Sequence, residues 1–315
     1  MNQIFEIGII IYPNAQEAAV LGLADMFEIA NGIAGTAARC LHASRWQLDE
    51  NNGELNRLGK TMSGKTPAAL LVPPGKGAPI SAEIGRSYGE PLRTFHASGG
   101  TVASVCGGSF LLAEAGLLEG RTATTHFAFQ EEFRHRFPKV KLAIDRLIVD
   151  DGDIITAGGM MAWTDLGLKL VDRYLGSTVM LETARTLLID PPGREQSYYG
   201  TFVPPLNHGD AAILPAQHWM HSAFPTDISV GALARKAGLG ERTFLRRFSK
   251  ATGMTSTDYL QQVRINKARE ILQFSQTPID QVAWEVGYSD PSAFRKVFQR
   301  IVGLTPNDYR RRFHA

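Results

Sequence analysis

The chain has 315 residues, with 33 Lys and Arg against 31 Asp and Glu for a formal charge of +2, so no overall polycationic or polyanionic character drives its associations. Hydrophobic residues make up 44 % and charged residues 20 %, which excludes an intrinsically disordered chain, and the length exceeds what one hydrophobic core usually organises. Two cysteines, Cys40 and Cys106, are too few for a disulfide scaffold and fit a reducing, cytoplasmic compartment.

Ile7 to Tyr12 is a compact apolar run near the N-terminus, too short to span a bilayer and without the charged flank of a signal peptide. No other stretch stays apolar for the roughly 18 residues a membrane helix needs, so a soluble protein with no membrane partner is expected. Further strand-like runs fall at Ala69 to Pro73, Thr101 to Val105, Leu147 to Val149 and Ile154 to Thr156, and helical patterns at Ala18 to Ala30, Ser109 to Ala115 and Leu166 to Leu175. Their alternation predicts an α/β domain, flavodoxin-like, with a mostly parallel sheet.

Chemistry in this region centres on the run Thr101 to Ala113, where a strand ends at Cys106-Gly107-Gly108 and a helix begins at once. This is the pattern of a nucleophile elbow. A cysteine there sits at a helix N-terminus, whose dipole and free N–H groups favour thiolate over thiol, and His126, 20 residues on, is the candidate base. Taken alone, the pair suggests a cysteine hydrolase or amidotransferase. The runs beginning Gly8-Ile-Ile-Ile-Tyr-Pro, Leu70-Leu-Val-Pro-Pro-Gly and Ala103-Ser-Val-Cys-Gly-Gly-Ser resemble the class I glutamine-amidotransferase-like domain in its PfpI-like branch, over roughly Ile4 to Leu188. Cysteine peptidases of that branch carry histidine directly after the cysteine, and this chain has Gly107. Cys106 and His126 are therefore read as vestigial rather than working catalytic residues.

Crevices at the C-terminal ends of strands are where open α/β sheets bind small molecules, so Glu17, Gly75, Cys106, Gly107 and His126 are the expected ligand-pocket residues. By the resemblance, Glu17 matches an acidic residue that approaches the cysteine in related domains; as the first charge of a helix it would serve the dipole equally well. Trp163 is read as core rather than as a cation-binding ring. His126, His135, His208, His218 and His221 are scattered, with His218 and His221 expected on a surface helix, so neither a metal site nor a cofactor is expected.

Asp190 to Gly209 holds four prolines and three glycines and cannot continue a helix. The expected organisation is a domain over residues 1–189, a linker over 190–208 stiffened by two Pro-Pro pairs, and a domain over 209–315 whose first helix covers residues 211–223.

The last hundred residues carry one pattern twice. Leu233-Ala-Arg-Lys-Ala-Gly238-Leu, Phe244 to Phe248, Gly253-Met-Thr and Tyr259 are followed by Val282-Ala-Trp-Glu-Val-Gly287-Tyr, Phe294 to Phe298, Gly303-Leu-Thr and Tyr309. In each copy a short amphipathic helix stops at a glycine suited to φ > 0, and a second helix starts within about three residues, which is a helix-turn-helix. The first motif is expected at about residues 229–252 and the second at about 278–301, with Asp290 as N-cap and Pro291 at the first helical position. Tyr259 to Leu272 reads as a helical connector between them. Residues 209–315 hold 15 Lys and Arg against 9 Asp and Glu, a formal +6, whereas residues 1–208 carry −4. A positive excess on helices that enter a groove is the footprint of double-stranded DNA as partner.

Residues Ala211 to Phe313 resemble the DNA-binding domain of the AraC/XylS transcriptional regulators, two helix-turn-helix motifs joined by a long helix, with Ser256 standing where that family usually has the proline matched by Pro306. The resemblance implies that the second helix of each motif enters a major groove. Arg242, Thr243 and Arg246, then Ser292, Arg295 and Lys296, are the candidates for base edges; Arg247, Lys250 and Arg300 are the candidates for phosphates. Fusion of the two domains is the arrangement of the GlxA-like regulators. It implies a homodimeric transcriptional regulator responding to a small-molecule effector, a small nitrogen-containing metabolite, with RNA polymerase as a further partner. The rival reading is a DNA-tethered cysteine hydrolase or amidase using Cys106.

Overall fold

The structure, a computed structural model, describes residues 3–35, 39–49, 51–59, 66–191 and 193–314, and divides into two compact units, Met1–Gln196 and Ser197–Ala315.

In the first unit the elements run β1 (Gln3–Ile11), α1 (Glu17–Ala34), β2 (Arg39–Leu48), β3 (Leu55–Leu58), β4 (Ala69–Val72), α2 (Ala82–Ser87), α3 (Gly89–Ala97), β5 (Thr101–Val105), α4 (Ser109–Glu114), β6 (Thr122–Ala123), α5 (Gln130–Arg136), β7 (Lys141–Leu142), β8 (Ile148–Asp150), β9 (Ile154–Ala157), α6 (Trp163–Leu175) and α7 (Ser177–Leu187). Seven strands form one sheet in the order β3-β2-β1-β4-β5-β9-β8. Its five central strands are parallel, and β3 and β8 pair antiparallel at the two edges. In chain order the parallel strands lie 2-1-3-4-5, the doubly wound arrangement of a flavodoxin-like sheet.

The unbroken apolar run of β1 follows from this topology. Successive side chains alternate between faces, so Ile7 and Ile9 join Leu23 and Phe27 of α1 and Leu166 and Leu170 of α6, while Ile10 packs with Leu92 of α3, Phe110 of α4 and Phe133 of α5. A strand buried on both faces cannot alternate apolar with polar. The strand β2 lacked that signal because one of its faces is polar: Ser44 Oγ donates to buried Glu6 Oε1 at 2.6 Å, and Trp46 Nε1 donates to Ser44 Oγ at 2.8 Å.

The second unit contains α8 (Leu214–Ala223), α9 (Val230–Lys236), α10 (Glu241–Thr252), α11 (Ser256–Phe274), α12 (Ile279–Glu285), α13 (Pro291–Val302) and α14 (Pro306–Phe313). Each motif has its own core, Leu233, Phe244, Phe248 and Tyr259 in one and Val282, Phe294, Phe298 and Tyr309 in the other. The duplicated glycines do what the pattern required: Gly238 and Gly287 turn at φ 65° and 88°, and Gly253 and Gly303 cap α10 and α13 at φ 72° and 85°. The next helices open alike. Thr255 Oγ1 accepts from Asp258 N at 3.1 Å and Thr305 Oγ1 from Asp308 N at 3.2 Å, which places Ser256 and Pro306 at the same first helical position. Asp290 caps α13 as expected, accepting from Ser292 N at 2.8 Å. His218 is exposed on α8, but His221 turns inward and its Nε2 bonds Tyr259 Oη at 2.9 Å.

The repeat breaks at one glycine in a testable way. A Cβ on Gly253 meets nothing within 4 Å, whereas one on Gly303 would lie 2.6 Å from Tyr198 Cε1. Gly253→Ala should cost about 1–2 kcal/mol for its left-handed conformation alone, and Gly303→Ala clearly more; equal losses in denaturant unfolding of the helical unit would contradict this packing.

Candidate functional site

Burial on helix α10 is confined to one stripe. Phe244, Phe248 and Thr252 face the core, and Arg242, Arg246, Ser249 and Lys250 are exposed on the opposite side. Thr243 is half-buried at the margin. In α13 the stripe is Phe294, Phe298 and Val302, with Ser292, Arg295, Lys296 and Arg300 exposed.

The structure divides these cations into two sets that spacing could not separate. Arg247 forms a forked ion pair with Asp210, at 3.0 and 2.6 Å, and its guanidinium holds the Asp210 carboxyl below the usual carboxylate range. Arg295 pairs with Asp280 of α12, and Arg300 donates to Gln261 of α11. Among the described residues no ion pair engages Arg242, Arg246, Lys250 or Lys296. These four are free to meet a polyanion, while the paired arginines must first exchange a partner.

The elbow is present in the first unit. The strand β5 ends at Val105, Cys106 adopts φ 55°, and a single 3-10 turn Cys106–Gly108 leads into α4. Gly108 is required there, since a Cβ would lie 2.7 Å from Val72 O and 2.9 Å from Pro73 O. Ser109 Oγ and Thr125 Oγ1 both donate to Cys106 O at 3.0 Å. The expectation of a thiolate is overturned. Cys106 is only 1 % exposed, and burial pushes its thiol up to about 11, outweighing the favourable Gly107 N–H. The helix that should lower it is six residues long and starts only after the 3-10 turn.

The remaining pocket candidates scatter around this point. His126 is half-buried, stacks on Phe127 with ring centres 4.4 Å apart, and its Nδ1 accepts from Ala128 N at 3.1 Å. Burial lowers its pKa, and among the described residues no hydrogen bond joins it to Cys106. Gly107 is buried, with Phe129 Cε2 3.5 Å from where its Cβ would be. A Cβ on Gly75 would sit 3.1 Å from the Tyr12 hydroxyl, which donates to Pro73 O at 2.8 Å. Glu17 is exposed in the first turn of α1, the position its dipole role requires. Trp163 lies against Gly22 of α1, among core residues.

Sequence reasoning passed over Gln16 and Tyr12. Gln16 N donates to Pro74 O at 2.7 Å, yet its side-chain Oε1 is buried without a partner. Among the described residues that acceptor has no hydrogen-bond partner, which is uncommon for a buried polar atom. The signal was a polar residue between the apolar runs of β1 and α1, overshadowed by the charge of Glu17 next to it.

The DJ-1/PfpI family model matches residues 7–173, and a helix-turn-helix domain model matches residues 233–312. The HTH-type transcriptional regulator GlxA of Rhizobium meliloti is 29% identical over 224 residues, 70% of this chain and 68% of that protein. The HTH-type transcriptional regulator ArgR of Pseudomonas aeruginosa is 26% identical over 231 residues, 73% of this chain and 70% of the relative. A solved AraC family transcriptional regulator from Pseudomonas putida aligns with a TM-score of 0.48 at 18% identity, covering 58% of this chain and 99% of its own. The chain belongs to the DJ-1/PfpI family and joins that domain to an AraC-type DNA-binding domain, the build of a helix-turn-helix transcriptional regulator.

Proposed function

We propose that the elbow crevice of the first unit binds a small nitrogen-containing metabolite, and that its occupancy changes how the second unit engages an operator in double-stranded DNA. The observation that carries this reading is the burial of Cys106, 1 % exposed and with no hydrogen bond to His126 among the described residues, on a unit fused to two helix-turn-helix motifs. An elbow kept in shape but not in ionisation suits binding rather than acyl transfer. The orphaned Gln16 Oε1 favours a ligand that brings an N–H donor. The regulator acts as a cytoplasmic homodimer on paired half-sites, with RNA polymerase as its further partner and no cofactor. Glu17, Gly75, Gly107 and His126 border the ligand with Cys106.

On the DNA side, Arg242, Thr243 and Arg246, then Ser292, Arg295 and Lys296, address base edges, while Arg247, Lys250 and Arg300 address phosphates. Arg246→Ala should cost about 1–3 kcal/mol of discrimination at particular base pairs, while Lys250→Ala weakens binding to all duplexes and reduces the salt slope by about 1. Equal losses on selected and random DNA for both variants, measured by titration at several salt concentrations, would remove that division of labour.

Thermal-shift screening of the full chain against amino acids, betaines and related amines tests the effector reading, because a ligand of the native state must raise apparent stability. A panel without a stabilising compound would count against it. The hydrolase alternative is tested by iodoacetamide labelling followed peptide by peptide in mass spectrometry. Labelling of Cys106 in the native protein should be slow at neutral pH and climb toward about pH 11. A rate already maximal at neutral pH would show an activated thiolate and revive the enzyme reading. The sign is fixed: with its folded pKa raised, the thiol contributes stability at neutral pH that is lost as pH rises toward about 11.

A further inference from the structure

Residues 194–199 do not hang free between the units; each is tied down within its own unit. On the first unit, Arg194 forms a forked pair with Asp165, which is buried in α6. Glu195 accepts from Leu147 N at 3.1 Å and pairs with Arg146 at 2.9 Å. Gln196 donates its backbone N–H to Asp145 O at 2.9 Å, and its side chain is 3 % exposed. From Ser197 onward the anchors belong to the second unit. Arg269 of α11, itself buried, donates to Ser197 O at 2.7 Å and lies over the Tyr309 ring at 5.6 Å. Tyr198 packs where Gly303 leaves space, and the Tyr199 ring meets Phe313 edge-on at 5.4 Å.

The Gln196 carboxamide is placed with unusual economy. Its Nε2 lies 2.8 Å from Thr125 O and 3.0 Å from each of Thr124 Oγ1, Ile144 O and Arg146 O, and its Oε1 accepts from Phe127 N at 3.2 Å. Room for it depends on Gly158 at the end of β9, where a Cβ would fall 2.1 Å from Nε2. Thr125 O and Phe127 N are the peptide groups on either side of His126. The Thr125 hydroxyl in turn holds Cys106 O. One buried amide thus fixes the backbone around His126, and the next residue in the chain is fixed to the helix that joins the two motifs.

We infer that Gln196 is a positioning residue that couples the elbow crevice to the DNA-reading unit: displacement of the Thr125–Phe127 backbone is passed through its carboxamide to Ser197 and so to Arg269 of α11. The inference rests on the proposed regulation of DNA binding through the crevice, and it names the residue that carries it. Residues 194–196 are anchored in the first unit and residues 197–199 in the second, and Gln196 and Ser197 are joined by one peptide bond. Bulk structural support would hold Gln196 in place equally well, but it would not require the loop around His126 to respond to DNA.

Coupling is reciprocal, so DNA can serve as the probe. Hydrogen exchange of the full chain is measured with and without a duplex recovered by selection from a random library. In the unsubstituted protein, exchange around Thr125 to Phe127 should change about 5-fold or more on DNA binding. In Gln196→Ala that change should vanish while duplex affinity stays within about 2-fold, since the substitution touches no DNA-facing side chain. Gln196→Met, which fills the same volume without the polar atoms, gives the same loss if the hydrogen bonds carry the coupling, and serves alone if the alanine variant fails to fold. No DNA response in the unsubstituted protein, or an undiminished response in Gln196→Met, would overturn the inference. A DNA response that persists when no metabolite stabilises the chain leaves the coupling standing and sinks the effector reading; a stabilising metabolite with no response at the loop does the reverse.

Discussion

A single helix belongs to both reading heads, and the geometry of DNA engagement depends on it. Helix α11 gives Tyr259 to the core of the first motif and Ile265, Ala268 and Leu272 to that of the second. Its 19 residues span about 28 Å at the α-helical rise, comparable with the 34 Å or so of one turn of B-DNA. Helix α11 cannot turn about its own axis without stripping Tyr259 from one core and Ile265, Ala268 and Leu272 from the other. Phe248 meets Tyr259 of α11 edge-on at 5.3 Å in the first motif; in the second the matching contact, Phe298 with Tyr309 at 5.6 Å, belongs to α14, and α11 reaches it through Gln273 Nε2, which donates to Tyr309 Oη at 2.7 Å.

At the elbow two effects oppose one another, and their magnitudes decide the chemistry. A helix N-terminus favours a thiolate, but its influence falls off within the first turn and here begins beyond a 3-10 turn. Burial of the sulfur acts at full strength, so the neutral form wins. The left-handed conformation of Cys106 persists all the same, a strain of about 1–3 kcal/mol that surrounding structure must impose. The imposition is visible in Gly108, seated against the ends of β4, and in the two hydroxyls on Cys106 O. The elbow's shape is thus held by backbone packing, with the thiol buried inside it.

Glycine and phenylalanine spacing makes the second unit legible in the sequence, because a backbone at positive φ and a stripe at helical period are local properties. The central strands β1, β4, β5 and β9 are legible for a related reason: burial on both faces leaves an unbroken apolar run. The strand β2 is not, since its polar face is satisfied by Glu6 on a neighbouring strand, a partner far away in the chain. Helix α7 escapes notice because its buried residues are Thr183 and Ala184, which carry little hydrophobic signal. At the candidate sites, exposure of the basic faces can be read from helical period. The pairing of Arg247 with Asp210 or of Arg295 with Asp280 cannot, and neither can the burial that neutralises Cys106. Gln196 is invisible for the plainest reason, as a polar residue in a segment rich in proline and glycine, where solvent exposure is the ordinary expectation.

Those arginine pairs also qualify what the +6 charge of residues 209–315 can do. Ion pairs that water reaches contribute little to stability, so Asp210 and Asp280 do not lock Arg247 and Arg295; they offset their charge locally. Free guanidiniums would attract any phosphate at the full range set by ionic screening. A guanidinium already facing a carboxylate attracts an anion strongly only where that anion comes close enough to replace the carboxylate. Arg242, Arg246, Lys250 and Lys296, which no ion pair engages among the described residues, therefore carry the longer-range share of this unit's positive field, and the paired arginines the shorter-range share.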